Sequence, residues 1–306
     1  MRAYNTAMPP SSFDAWHSLV FRAAATPQAA LAILDDPPAS LTADQWARGQ
    51  FWKACLQCQL GQTSAALRAL SAVDEHGHWL PSIRLQDHDL DAIRTDLQFA
   101  ALEQQWTARF HREAAHHRAT LEIIEPSRAP GGTLVALHMN TGDPEQTRPL
   151  FSSLVDQGWR VALAGSGQYV GPGMAVWNDL AQADGELQEW ARAVGGHPLW
   201  AGLSAGGSTV LRGVLTGGVP AVGVLAIVPS VAARPIWLPD RPVPVPVALI
   251  LGEGDGYTPG GLKLAERLEE VGLQVRVWIH PGGHEVPAHW EELRAEALDW
   301  LGTSTP

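Results

Sequence analysis

Three side chains have the type, order and setting for nucleophilic acyl chemistry: Ser204, Asp255 and His284. Ser204 lies in Gly202-Leu203-Ser204-Ala205-Gly206, after the apolar run Leu199-Trp200-Ala201 and before a helix expected to begin near Ser208. Gly202 and Gly206 lack a Cβ, so a strand and a helix can approach closely around a sharp turn. Such a turn lifts the Ser204 hydroxyl above the sheet edge. It also sets the backbone N–H of Ala205 at a helix N-terminus, where an unpaired donor can hold an oxyanion. An alcohol is a poor nucleophile at neutral pH, so it needs an adjacent general base, and that base needs an orienting acid. In a strand–turn–helix setting the expected chain order is serine, then Asp or Glu, then histidine.

The acid expected is Asp255, in Leu251-Gly252-Glu253-Gly254-Asp255-Gly256-Tyr257-Thr258-Pro259, directly after a buried strand. Capping of the helix that starts at Pro259 is compatible with that role. Glu253 is the reserve, and Asp240 is third. The base expected is His284, on the glycine-rich loop His280-Pro281-Gly282-Gly283-His284. Its competitors are His280, at the end of the preceding strand, and His289, inside the last helix. A second oxyanion donor belongs on the loop after the first buried strand, His138-Met139-Asn140-Thr141-Gly142-Asp143, and the backbone N–H of Asn140 is the choice there.

The elements that must position these residues begin near Leu121. Short strands are expected at 121–124, 133–138, 159–164, 199–203, 222–228, 245–251 and 275–279. Helices are expected at 145–157, 177–194, 261–271 and 288–301. Repeated βα units imply a mostly parallel sheet with helices on both faces, and fully apolar strands such as 133–137 are the kind buried on both sides. The Gly-rich loop 165–173 lacks the spacing and the lysine of a phosphate-binding loop, and could line an acyl or alcohol pocket. Tyr169, Trp177, Trp237, Tyr257 and Trp290 are aromatic candidates near the sheet's carboxyl edge.

With these motifs in place, residues 121–302 resemble an α/β-hydrolase-fold domain, similar to carboxylesterase-like and dienelactone-hydrolase-like members, and 119–306 is taken as the catalytic domain. The resemblance rests on Gly202-Leu203-Ser204-Ala205-Gly206-Gly207, Gly252-Glu253-Gly254-Asp255-Gly256 and Gly282-Gly283-His284. It implies a serine hydrolase of carboxylic esters with a Ser204–His284–Asp255 triad, an oxyanion hole from Ala205 and Asn140, an acyl-enzyme and no cofactor or metal. Two departures stand out. The early loop reads His-Met-Asn-Thr-Gly where many relatives have His-Gly. The nucleophile is serine, where dienelactone hydrolases use cysteine. The rivals are a serine peptidase or thioesterase with the same triad, and a non-catalytic binding protein using the fold as a scaffold.

Residues 1–118 read as a small all-helical domain, with a polar, Pro-containing end at 1–12 expected to fray. One helix spans about 46–60, Gly61 caps it, and a second follows from Ser64. This pair, with Ala66, Leu67 and Leu70, resembles a tetratricopeptide repeat. A longer helix is expected from Leu97 to Arg118. Solenoid repeats need about three units to bury a core. Here one is clear, so these helices are expected to pack on the rest of the protein and to supply the wall that the short, proline-rich segment 229–244 cannot. The repeat region is also a candidate surface for a protein partner.

The chain has 306 residues and a formal charge of -11, which argues against non-specific nucleic-acid binding. Cys55 and Cys58 share one helix face with no second pair to complete a zinc site, and read as small apolar residues in a reducing compartment. His111, His116 and His117 read as a solvated face. The first thirty residues lack a secretory pattern, and no apolar run is long enough to span a bilayer. A cytoplasmic protein acting on a small-molecule ester is expected.

Overall fold

The computed structural model describes residues 13–232 and 235–304; the end expected to fray, residues 1–12, lies outside them. Two compact units divide the chain. One takes the described residues up to His116 with Val170–Pro172, and the other takes His117–Tyr169 and the described residues from Gly173.

The first unit is helical: α1 Phe13–Ala23, α2 Pro27–Leu34, α3 Ala43–Gln59, α4 Thr63–Glu75, α5 Ser82–Leu85 and α6 Leu97–Ala114, with a 3-10 turn at His88–Ile93. A capping box between Thr42 and Gln45 starts α3, satisfying two backbone N–H groups that a helix end leaves open. Gly61, at φ +70°, lets the chain leave α3 in the left-handed region and enter α4. Trp106 Nε1 donates to Asp74 Oδ1 at 3.0 Å and ties α6 to α4. Helix α6 stops at Ala114, short of the expected Arg118: residues 115–116 form a turn, and 117–119 hold no regular structure before the first strand.

The second unit is a seven-stranded sheet in the order β1-β3-β2-β6-β7-β8-β9. The strands are β1 Thr120–Ile124, β2 Gly132–Leu137, β3 Trp159–Gly165, β6 Leu199–Leu203, β7 Gly223–Ile227, β8 Val247–Gly252 and β9 Val275–His280. A two-stranded ribbon, β4 Gln168–Gly171 and β5 Met174–Val176, stands where the sequence reads as a loop. Every neighbouring pair in the large sheet is parallel except β1 with β3.

Its helices are α7 Pro144–Phe151, α8 Leu180–Val194, α9 Ala205–Leu215, α10 Thr258–Glu270 and α11 Trp290–Ser304. Alternate strand residues serve opposite faces. Leu137, Trp200, Ala226 and Leu249 pack with Leu187 of α8, Leu211 of α9 and Leu264 of α10. Leu134, Leu203, Ile227 and Ile250 pack with Phe151 of α7 and Leu293 of α11. A mostly parallel sheet covered by helices on both faces, beside a helical region, is therefore the observed class.

Several helix bounds differ from expectation: α8 begins at Leu180 rather than 177, and α10 at Thr258 rather than 261. Helix α9 begins at Ala205 rather than near Ser208, since the turn at Ser204 leads straight into it and Ala-Gly-Gly carries no helical signal. The 145–157 helix breaks into α7 and a 3-10 segment at Ser152–Gln157, because Pro149 inside it has no N–H for the helical ladder. Among the described residues, 229–232 and 235–246 hold no helix or strand, and no helix is long and apolar enough to cross a membrane.

Candidate active site

Ser204 is held at φ +50° and ψ −118°, between the last residue of β6 and the first of α9. Its N–H donates to Ile227 O at 2.8 Å, which anchors the turn to the end of β7. The two flanking glycines are required by contact. A Cβ on Gly202 would stand 2.4 Å from Gly206 C, and one on Gly206 would stand 2.3 Å from His138 O. With that backbone the hydroxyl projects from the sheet's carboxyl edge.

Strand β8 ends in Gly252, and the chain turns back so that Asp255 N donates to Gly252 O at 3.0 Å. The acid and base loops are laced together. Glu253 N donates to His280 O at 2.9 Å, and Gly254 N donates to Gly282 O at 2.7 Å. Asp255 is buried, and its Oδ1 accepts from Tyr257 N at 3.0 Å while its Oδ2 lies 2.7 Å from His284 Nδ1. A carboxylate only accepts, so Nδ1 carries the proton. His284 Nε2 is then an acceptor, and it lies 2.7 Å from Ser204 Oγ. The His284 side chain keeps 34% of its surface exposed while that of Asp255 keeps 4%, so the base faces solvent and the acid does not. The competitors lie elsewhere. Glu253, Asp240 and His289 are exposed, and His280 is buried at the end of β9.

Asn140 and Ala205 line one cavity of about 260 Å³, together with Trp177, Asn178, Ser208, Arg212, Ser230, Trp237 and Tyr257. Ala205 is the first residue of α9, so its N–H has no carbonyl in a preceding turn to reach. The Asn140 side chain is fixed on both sides. Its Oδ1 accepts from Trp177 N at 2.8 Å, and its Nδ2 donates to Asn178 Oδ1 at 3.0 Å. Three of the five aromatic candidates reach this cavity. Trp290 instead packs edge-on against Phe151, in the cluster on the opposite face of the sheet, and the Tyr169 ring lies tilted against His117.

Among the polar members of the cavity that were not singled out in the sequence, Ser230 and Arg212 stand out. Ser230 Oγ stands 2.9 Å from Ser204 Oγ. Arg212 is buried, pairs with Asp184 Oδ1 and donates to Leu180 O at 3.3 Å. Ser230 follows strand β7 at the same sheet edge, and Arg212 is four residues after Ser208 on one face of α9. Among the described residues no group of three His, Cys, Asp or Glu is arranged to hold a metal ion.

No protein-family model matches this sequence, and no curated protein matches it. Solved structures do match. An uncharacterized protein from Bacillus cereus ATCC 10987 is 18% identical, covers 94% of this chain and 97% of its own, and superposes with a TM-score of 0.51. Esterase PE8 is 20% identical over 60% of this chain and 99% of its own, with a TM-score of 0.53. A dienelactone hydrolase-like promiscuous phosphotriesterase, P91, from metagenomic libraries is 13% identical over 63% of this chain and 95% of its own, with a TM-score of 0.52. Together with the sheet order and the helices on both faces, these likenesses define the architecture as the α/β-hydrolase fold.

Proposed function

We propose that the protein is a serine hydrolase of carboxylic esters. The observation that carries this reading is the hydrogen-bonded line from Asp255 through His284 to Ser204, with both steps at 2.7 Å. His284 Nε2 takes the proton as Ser204 Oγ attacks the ester carbonyl. The oxyanion is held by the Ala205 N–H and the Asn140 N–H. The alcohol leaves with the proton from His284, and an acyl-enzyme remains. Water then attacks the acyl carbon, gives its proton to His284, and Ser204 recovers its own. Asp255 keeps the imidazole in one tautomer throughout. The cavity lies just below the usual 300–1,000 Å³ of drug-sized ligand pockets, which favours short acyl or alcohol groups. No step calls for a cofactor.

The same reading takes residues 1–118 as a separate helical domain and 119–306 as the catalytic one, supported by the division of contacts near His116. The tetratricopeptide-like character of α3 and α4 rests on Gly61 and the small residues of α4, and a protein partner would use that region. A cytoplasmic location is supported by the free, buried Cys55 and Cys58.

Labelling by a fluorophosphonate, with ester hydrolysis measured beside it, tests the reading. Wild type is expected to label, and Ser204→Ala and His284→Ala are each expected to lose at least about a thousandfold in rate. A well-folded wild type that neither labels nor hydrolyses short esters would sink the proposal and favour a non-catalytic scaffold.

A further inference from the structure

The hydrogen bonds around Ser204 leave one contact that the relay does not use. The Ser204 hydroxyl has a single proton. With Nδ1 of His284 protonated toward Asp255, that proton goes to Nε2 at 2.7 Å. The contact of 2.9 Å between Ser204 Oγ and Ser230 Oγ can then be made only one way round, with Ser230 as donor. We propose that Ser230 is a positioning residue that donates its hydroxyl proton to the nucleophilic oxygen, which rests on the ester-hydrolase reading above.

The backbone supports a built contact rather than a chance one. Val228, just after β7, sits at φ +41°, a region that a β-branched residue very rarely enters. Strain of that kind persists only where the surroundings hold it. Here Val228 N donates to Ile250 O at 2.7 Å, and Val228 is fully buried. Pro229 then fixes the next step, and Ser230 N donates to Ser204 O at 3.4 Å. The strained turn thus brings Ser230 back across the end of β6, with its Oγ 2.9 Å from Ser204 Oγ, and Ser230 is among the residues that line the cavity.

The role follows from charge. Between its two partners the Ser204 hydroxyl has one rotamer, with its proton directed at His284 Nε2 and a lone pair left for the carbonyl carbon. As the proton passes to Nε2 and the C–Oγ bond forms, the oxygen carries partial negative charge, and the bond from Ser230 becomes charge-assisted. In the acyl-enzyme Oγ is an ester oxygen, a poor acceptor, and the bond weakens. When deacylation breaks C–Oγ, the oxygen regains charge, His284 returns a proton to it, and Ser230 donates to it again. The Ser230 proton never leaves Ser230, so the step balances without another reagent.

The test compares wild type, Ser230→Ala, Ser230→Thr and Ser204→Ala, all folded by thermal unfolding. Two readouts are used: kcat and KM on p-nitrophenyl acetate, and the rate of labelling by a fluorophosphonate. Ser230→Ala is expected to lose about tenfold in kcat and in labelling rate, the size of one hydrogen bond to an oxygen gaining charge, with KM within about twofold. Ser230→Thr, which keeps the hydroxyl, is expected to stay within about threefold of wild type. Ser230→Ala at full rate, or Ser230→Thr as slow as Ser230→Ala, overturns the assignment while Ser204→Ala remains silent. Wild type inert to both reagents, or Ser204→Ala labelled like wild type, overturns the nucleophile reading and this assignment with it.

Discussion

At the scale of single residues, the least visible support under Asn140 is His138. It is fully buried at the end of β2, and burial pushes its pKa down from 6.5 to about 4. Its Nδ1 donates to Met139 O at 2.7 Å, its Nε2 accepts from Ser166 N at 3.2 Å, and its carbonyl accepts from Trp177 Nε1 at 2.8 Å. A neutral imidazole is therefore built into the loop. Above about pH 6.5 the side chain is neutral in both folded and unfolded chains, and its contribution is complete. As pH falls from there toward 4, only the unfolded chain takes the proton, so stability is lost across that window and levels off below it. The whole effect is about 3 kcal/mol, of which about 2 falls between pH 7.5 and pH 5. Urea unfolding at those two pH values checks this. Wild type is expected to lose about 2 kcal/mol more than His138→Gln, and equal losses would remove His138 as the cause.

The same residue scale separates what could be read in the sequence from what could not. Ser204, Asp255 and His284 each follow an apolar strand, on turns rich in glycine, in an order that acyl transfer demands, and they meet in space. Ser230 and Arg212 had no such mark. Ser230 stands in a segment without regular structure, and its meaning depends on a left-handed valine that no pattern announces. Arg212 lies in an otherwise apolar helix, where a single charge reads as solvent-facing.

At the scale of elements, the contact between β6 and α9 decides whether the turn can exist. A Cβ on Gly202 would meet Gly206 C at 2.4 Å and Gly207 N at 2.6 Å, which are backbone atoms and cannot rotate away. Gly202→Ala is therefore expected to cost about 3 kcal/mol in chemical unfolding and to abolish labelling at Ser204. A variant with wild-type stability and labelling would show that α9 can withdraw from β6 without harm. The strands were legible because buried parallel strands are short, continuous apolar runs. The β4–β5 ribbon was not, because strands of four and three residues around Gly171 and Gly173 give no alternation to read.

At the scale of the whole molecule, parallel strands bring one end of every strand to the same edge. Asn140 follows β2, Ser204 follows β6, Ser230 follows β7, Asp255 follows β8 and His284 follows β9, and those strands are neighbours in that order. The chain works outward in opposite directions from the β2–β6 pair, which is where doubly wound sheets open a crevice. Every one of these residues belongs to the α/β unit, as does every residue lining the cavity. The reactive serine should therefore not need the helical unit for its chemistry. A protease site placed between Ala115 and Arg118, cut after folding, should yield a carboxyl-terminal fragment that labels at Ser204 within about threefold of the intact rate, since the hydrogen bonds and donors of the transition state are unchanged. The measurement is the labelling rate of the purified fragment, with circular dichroism to show that it is folded. A folded fragment slower by about a hundredfold would mean that the helical unit contributes to activating the nucleophile itself, as a missing oxyanion donor would. An unchanged labelling rate with an altered preference for ester chain length would assign the helical unit to substrate choice alone.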